Sequence, residues 1–185
     1  ALPIRVEFER QAELACAVVG VHQLLFIDVA RLQEINEQYG LHVGDEILQR
    51  VADTVRRRAP RNAVCGRLDG GRLIVCLPLM TPEAAETVAL GLVEGIAKLS
   101  HQRGEGRLEV SARIGLANLA TREGDGGWHD ALARALAFAE SASRQAKQSS
   151  GASVQRWTEG TAASLRGGNA LEHPLLAVLM RALTK

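Results

Sequence analysis

Apolar residues recur along this chain either at helical spacing or in short continuous runs, and the switches between the two patterns delimit its elements. Val6, Phe8 and Leu14, set among Glu7, Glu9, Arg10 and Gln11, predict an amphipathic helix leading into the apolar stretch 15–19. The run Leu24, Leu25, Phe26 and Ile27 ends on Asp28, which is the pattern of a buried strand carrying an acid to its C-terminal edge. Leu32, Ile35 and Tyr39 return to helical spacing until Gly40 stops them. After residues 41–45, a second helix follows from the stripe Ile47, Leu48, Val51, Ala52 and Val55, closed by Arg56, Arg57, Arg58 and Pro60.

The second half continues in the same way. Residues 63–65 and 73–77 flank a turn at Leu68, Asp69, Gly70 and Gly71 and predict a hairpin. Pro82 opens a helix to Leu99 with a stripe at Ala85, Val88, Ala89, Leu92 and Ile96. A polar loop is expected over 101–106, a strand over 108–117 and a loop over 122–127. Leu132, Leu136, Ala139 and Ala142 mark a helix from Trp128 to Gln148, and 152–157 is a candidate edge strand. Residues 158–170, rich in Gly, Ala, Ser and Thr, read as a linker. An apolar helix over 171–185, with Leu175, Leu176, Leu179 and Leu183, either docks back or forms a junction with another module. The order of elements predicts an α/β domain over 1–157, with an open antiparallel or mixed sheet flanked by helices.

Composition narrows the function classes. A length of 185 residues with 46% hydrophobic residues suits one domain with a sizeable core, and 3% aromatic residues make that core aliphatic. A net charge of +1 gives no long-range pull toward nucleic acid, and Tyr39, Trp128 and Trp157 are too scattered for a base-stacking platform, so no nucleic-acid partner is expected. Only three of the 22 basic residues are lysine: Lys98, Lys147 and Lys185. The run Arg56 to Arg58 reads as a solvated helix end complementing the helix dipole. Cys16, Cys65 and Cys76 lack CxxC spacing and read as ordinary thiols of a reducing cytoplasm, and His22, His42, His101, His129 and His173 show no metal-ligand pairing. No run approaches the roughly 20 apolar residues of a membrane span. The chain does not begin with Met, so a piece of a longer parent is expected, and a membrane anchor elsewhere in that parent stays open.

One stretch carries a family pattern. Asp28, Ala30, Leu32, Gln33, Asn36, Glu37, Gly40, Leu41, Gly44, Asp45 and Leu48 follow, without a gap, the spacing D-x-D-x-F-K-x-x-N-D-x-x-G-H-x-x-G-D-x-x-L. Leu2 to Arg5 matches an L-P-N-R lead-in, Ile114 to Ala117 an S-I-G-V-A strand, and Ala146-Lys147 a late A-K pair. Over roughly residues 2–154 the chain resembles the GGDEF domain of diguanylate cyclases, which join two GTP molecules into cyclic di-GMP. The resemblance implies a nucleotidyl-cyclase or polymerase-palm-like fold with a central, mixed, mainly antiparallel sheet.

The resemblance also shows what is missing. The signature pentapeptide falls on Asp69, Gly70, Gly71, Arg72 and Leu73, behind Arg67. In the family the third position is an acid that binds two divalent cations together with the early Asp, and the fourth is an acid close to the reacting ribose hydroxyl. Here they are Gly71 and Arg72, and a one-residue shift puts Arg72 and Leu73 there instead. Asp28 alone is a poor cage for Mg²⁺ and survives only as a vestigial metal candidate, so neither cyclase activity nor a cofactor is expected.

Asn36 and Asp45 match the family's guanine-reading pair, and Lys147 matches a phosphate-contacting lysine. Three of the matched residues also have a local reading: Asp45 as an acid at a helix N-terminus, Asn36 as a cap or turn of the Gly40 loop and Asp28 as a fold residue. The inhibitory motif R-x-x-D falls on Pro60, Arg61, Asn62 and Ala63, so no direct cyclic di-GMP binding is expected through that site. The leading expectation is a silent regulatory or protein-interaction domain of a bacterial, cytoplasmic signalling protein, with an EAL phosphodiesterase domain as a candidate partner. A GTP-binding module without turnover and an unconventional enzyme centred on Asp28 and Arg72 are the alternatives.

Overall fold

The computed structural model describes residues 2–103, 106–120, 127–148 and 153–158. Its main sheet has the order β2-β3-β1-β6-β7, formed by β1 (His22–Val29), β2 (Val64–Asp69), β3 (Arg72–Leu77), β6 (Ala112–Leu119) and β7 (Val154–Arg156). Every pairing is antiparallel except β6 with β7. The expected mixed, mainly antiparallel sheet flanked by helices is therefore what the chain forms.

β1 reads as one unbroken apolar run because both of its faces are covered. Leu25, Ile27 and Val29 face one core with Leu73, Val75, Ile114 and Leu116. That core is closed by α2 (Leu32–Tyr39), α3 (Leu41–Arg58) and α4 (Pro82–Ala97). Leu24 and Phe26 face the other side with Ile74, Cys76, Ala117 and Leu119, under α1 (Arg5–Ala15) and α5 (Trp128–Gln148). The alternation of side chains along a strand sorts neighbouring residues into these two layers.

Local signals explain most boundaries. Thr81 caps α4 by accepting from the Ala84 amide at 3.3 Å, and Pro82 occupies the first turn. Gly40, at φ 90°, ends α2 and starts α3 in a single residue. α3 consequently begins at Leu41, earlier than its stripe predicts, and Val43 joins the stripe as a buried residue. β7 is held from two sides. The Trp157 amide donates to the Leu116 carbonyl at 2.7 Å and its ring stacks on Phe138, while Arg156 bonds Glu83 at 3.0 Å and Glu86 at 2.8 Å on α4.

Two expectations need correction. The predicted loop over 101–106 is largely β4 (Ser100–Arg103), paired with β5 (Gly106–Glu109) in a separate two-stranded ribbon. Its polar sequence carries no period because it lies outside the main sheet. The strand expected over 108–117 is divided between β5 and β6, and the Ser111 carbonyl between them accepts from the Ala30 amide at 2.9 Å. The linker beyond Thr158 and the apolar helix over 171–185 lie outside the described residues.

α5 lies so close to β6 that only glycine fits between them. A Cβ on Gly115 would stand 1.7 Å from the Ala139 carbonyl oxygen and 2.6 Å from the Ser143 nitrogen, both backbone atoms. Gly115→Ala is expected to destabilise the domain by about 3 kcal/mol in urea unfolding, because the helix must move. Gly91→Ala in α4 has open space around it and is expected to add about 0.8 kcal/mol through helix propensity.

Candidate functional site

The signature turn joins β2 to β3 at one edge of the sheet. Antiparallel register sets Arg72 on β3 directly opposite Asp28 on β1, and Arg113 on β6 opposite Asp28 from the other side. All three share the parity of the residues that face α5, so arginine, aspartate and arginine stand in one row across three strands. α5 supplies Glu140, whose carboxylate lies 3.9 Å from Arg72 and 2.8 Å from Arg144.

The turn itself is closed by arginines. Arg67 donates to the Gly70 carbonyl at 3.0 Å. Arg72 grips the Asp69 carboxylate with two bonds, Nε to Oδ1 and Nη2 to Oδ2, the latter 2.5 Å long. Such a fork-to-carboxylate contact fixes the direction of the guanidinium as well as its position. The Gly71 carbonyl accepts from the Val29 amide at 3.0 Å, and a Cβ at position 71 would meet Leu32 Cδ2 at 3.0 Å and Val29 Cβ at 3.4 Å. The Val29 carbonyl oxygen is equally near, at 3.4 Å, and position 71 has no carboxylate of its own.

This donor set does not fit a pair of divalent cations. Mg²⁺ takes nearly octahedral oxygen coordination, whereas Asp28 is flanked by two guanidinium residues and Asp69 is already bound by one of them. Among the described residues, no three His, Cys, Asp or Glu side chains group to hold a metal ion. An arginine in that place supplies a fixed positive charge and directed N–H donors, but no open coordination position to activate a hydroxyl.

The α2–α3 elbow holds the second group of predicted residues. The half-buried Asn36 carboxamide presses against Gly44, so that a Cβ on Gly44 would fall 1.8 Å from Asn36 Oδ1. This contact brings Asn36 beside the residue preceding Asp45. The local reading of Asn36 holds as a turn and not as a side-chain cap: its backbone carbonyl accepts from the Gly40 amide at 2.9 Å, while its Oδ1 is buried with no hydrogen-bond partner. The local reading of Asp45 needs correction. Asp45 is exposed in the second turn of α3, whose first turn carries no acid.

Ser143 contacts the Arg113 carbonyl at 3.5 Å, and α5 continues from there past the edge that carries Asp28. Position 147 lies one turn further along that helix, and the side chain of Lys147 is outside the described residues.

Pro60 to Ala63 forms a tight turn in which the Ala63 amide donates to Pro60 at 2.9 Å. Beside it is a cavity of about 360 Å³ lined by Arg56, Arg57 and Arg61, so the arginine run expected to be only a solvated helix end also walls a cavity. Sequence reading also missed Arg113 and Glu140. Neither has a local signal, because strand register and helix packing bring them to the site.

The comparisons with known proteins agree with this architecture. A family model described as "Diguanylate cyclase, GGDEF domain" matches residues 2–153. The bifunctional diguanylate cyclase/cyclic di-GMP phosphodiesterase MucR of Pseudomonas aeruginosa is 31% identical over 94 residues, which are 51% of this chain and 14% of that protein. The probable diguanylate cyclase DgcE of Escherichia coli is 28% identical over 117 residues, 60% of this chain and 10% of its own length. The chain thus spans a small part of these curated relatives. The solved GGDEF domain of YfiN (TpbB) from Pseudomonas aeruginosa superposes with a TM-score of 0.74 at 25% identity, covering 89% of this chain and 95% of that one. By its matched length, its sheet order and the placement of its signature turn, the chain belongs to the GGDEF domain family of diguanylate cyclases.

Proposed function

We propose that this domain is a non-catalytic regulatory or protein-interaction module of a bacterial cyclic di-GMP signalling protein. The observation that carries this reading is the row Arg72–Asp28–Arg113 beside Gly71, where catalysis by this family requires acids. Two-metal phosphoryl transfer depends on carboxylates that hold cations against phosphate oxygens and against the attacking hydroxyl. Here the strand edge presents guanidinium groups, one bound to Asp69 and within 3.9 Å of Glu140. The partner we favour is a phosphodiesterase domain of the same polypeptide, in the cytoplasm. The pairing of both activities in the name of the MucR relative supports that choice.

A second reading, GTP binding without turnover, is favoured by the buried and unpartnered Oδ1 of Asn36 beside the α2–α3 elbow. A carboxamide and a carboxylate together can donate to and accept from the guanine edge, and Lys147 adds a phosphate contact to the reading. A small shift of the elbow would give the orphaned oxygen a partner, and nucleotide binding would supply it.

Three outcomes test these readings. Incubating the chain with GTP and Mg²⁺ or Mn²⁺ is expected to give no cyclic di-GMP by mass spectrometry; sustained product formation would refute the silent domain. Calorimetric titration with GTP separates the two readings: saturable binding weakened about tenfold by Asn36→Ala or Asp45→Ala supports the nucleotide module, and absence of heat leaves the interaction module. Arg72→Ala is expected to change the unfolding free energy by less than about 1 kcal/mol, because its ion pair with Asp69 is solvent-exposed.

A further inference from the structure

Cys16 and Cys76 lie away from both the signature turn and the α2–α3 elbow, and the proposed function makes no use of them. Cys16 caps the C-terminus of α1, with its amide bonded to the Ala12 carbonyl at 2.9 Å. Cys76 stands on β3 in the layer beneath α1, where both belong to the cluster that includes Phe8, Ala12 and Ile74. Their sulfur atoms are 3.3 Å apart although the residues are 60 positions apart in the chain. Both residues are buried, Cys76 completely and Cys16 to 8% exposure, so Cys16 is the one nearer to solvent.

We propose that Cys16 and Cys76 are a peroxide-sensitive dithiol that closes to a disulfide and locks the end of α1 to β3. The Cys16 thiolate attacks one peroxide oxygen and breaks the O–O bond, giving a sulfenic acid and a hydroxide that takes up a proton. Cys76 sulfur then attacks the sulfenyl sulfur, loses its own proton and expels the hydroxyl as water. The two sulfurs give up two electrons to the peroxide, so two thiols and one hydrogen peroxide become one disulfide and two waters.

The assignment of roles follows from burial. Either sulfur can donate in their contact, which favours a thiolate on one of the two, and burial pushes up the thiol of the fully enclosed Cys76 and leaves the less enclosed Cys16 to ionise. Cys16 is therefore the attacking thiol and Cys76 the resolving one. Cys65 provides an internal control. It pairs with Val75 while Val64 pairs with Cys76, so it points to the opposite face of the sheet. Burial also pushes its thiol up to about 11, which keeps it protonated and unreactive near neutral pH.

The test uses the reduced full chain treated with hydrogen peroxide, then unfolded in the presence of N-ethylmaleimide and examined by intact-mass and peptide mass spectrometry. The expected product has one alkylated thiol, Cys65, and a Cys16–Cys76 linked peptide, and dithiothreitol restores all three alkylations. Amide exchange in α1 is expected to slow on oxidation. Cys76→Ala is expected to leave a Cys16 sulfenic acid that dimedone traps, and the wild-type result stands whether or not that variant folds. Three alkylated thiols after peroxide, a link involving Cys65, or a linked dimer of two chains would each overturn the pairing. Unchanged exchange in α1 would overturn the lock.

Discussion

The burial of β1 on both faces, with Asp28 alone left partly exposed, is the constraint on which the rest of this domain depends. A strand covered on both faces at the centre of a sheet must find a partner for every backbone group on both edges. β3 and β6 supply those partners in fixed register. Because side chains alternate, a slip of one residue in either register would exchange the two cores, bringing Ile74 and Cys76 into the layer of Leu73 and Val75. The apolar interior thereby determines which residues flank Asp28, although none of the three charged groups contributes to that interior.

The loss of family acids is thus more than a change of letters in a turn. The scaffold delivers the side chains at 28, 72 and 113 to one row with the precision of a sheet, and chemistry there follows from what the row contains. With arginine on both sides of Asp28, guanidinium groups flank the one acid of the row, and Asp69 and Glu140 answer the charge of Arg72 from within the molecule. The elbow between α2 and α3 is built independently of this row. Its closeness comes from Gly40 and Gly44, so the groups around Asn36 do not depend on what the hairpin carries.

Much of the fold was legible in the sequence. The run from Leu24 to Ile27, the stop at Gly40, the Pro82 helix start and the turn at Gly70 each carry a local physical signal. The β4–β5 ribbon was not legible because its polar strands pair with each other through the backbone and carry no apolar alternation in the sequence. The site was legible only in part. Spacing located Asp28, Asn36, Asp45 and Arg72, but the neighbourhood of Asp28 with Arg113, the approach of Glu140 and the contact of Cys16 with Cys76 arise from long-range packing. The first-turn role assigned to Asp45 failed for a related reason: α3 starts at Leu41, a boundary set by the φ of Gly40 rather than by the apolar stripe.

Arg67 joins two parts of the chain that would otherwise be separate. Its amide donates to the Pro3 carbonyl at 2.9 Å, within a parallel bridge to Ile4, while its guanidinium holds the Gly70 carbonyl at the tip of the hairpin. The segment leading into α1 and the signature turn are consequently tied to one residue, by its main chain at one end and its side chain at the other. A displacement of residues 2–4 therefore has a two-bond mechanical route to the tip of the hairpin through β2.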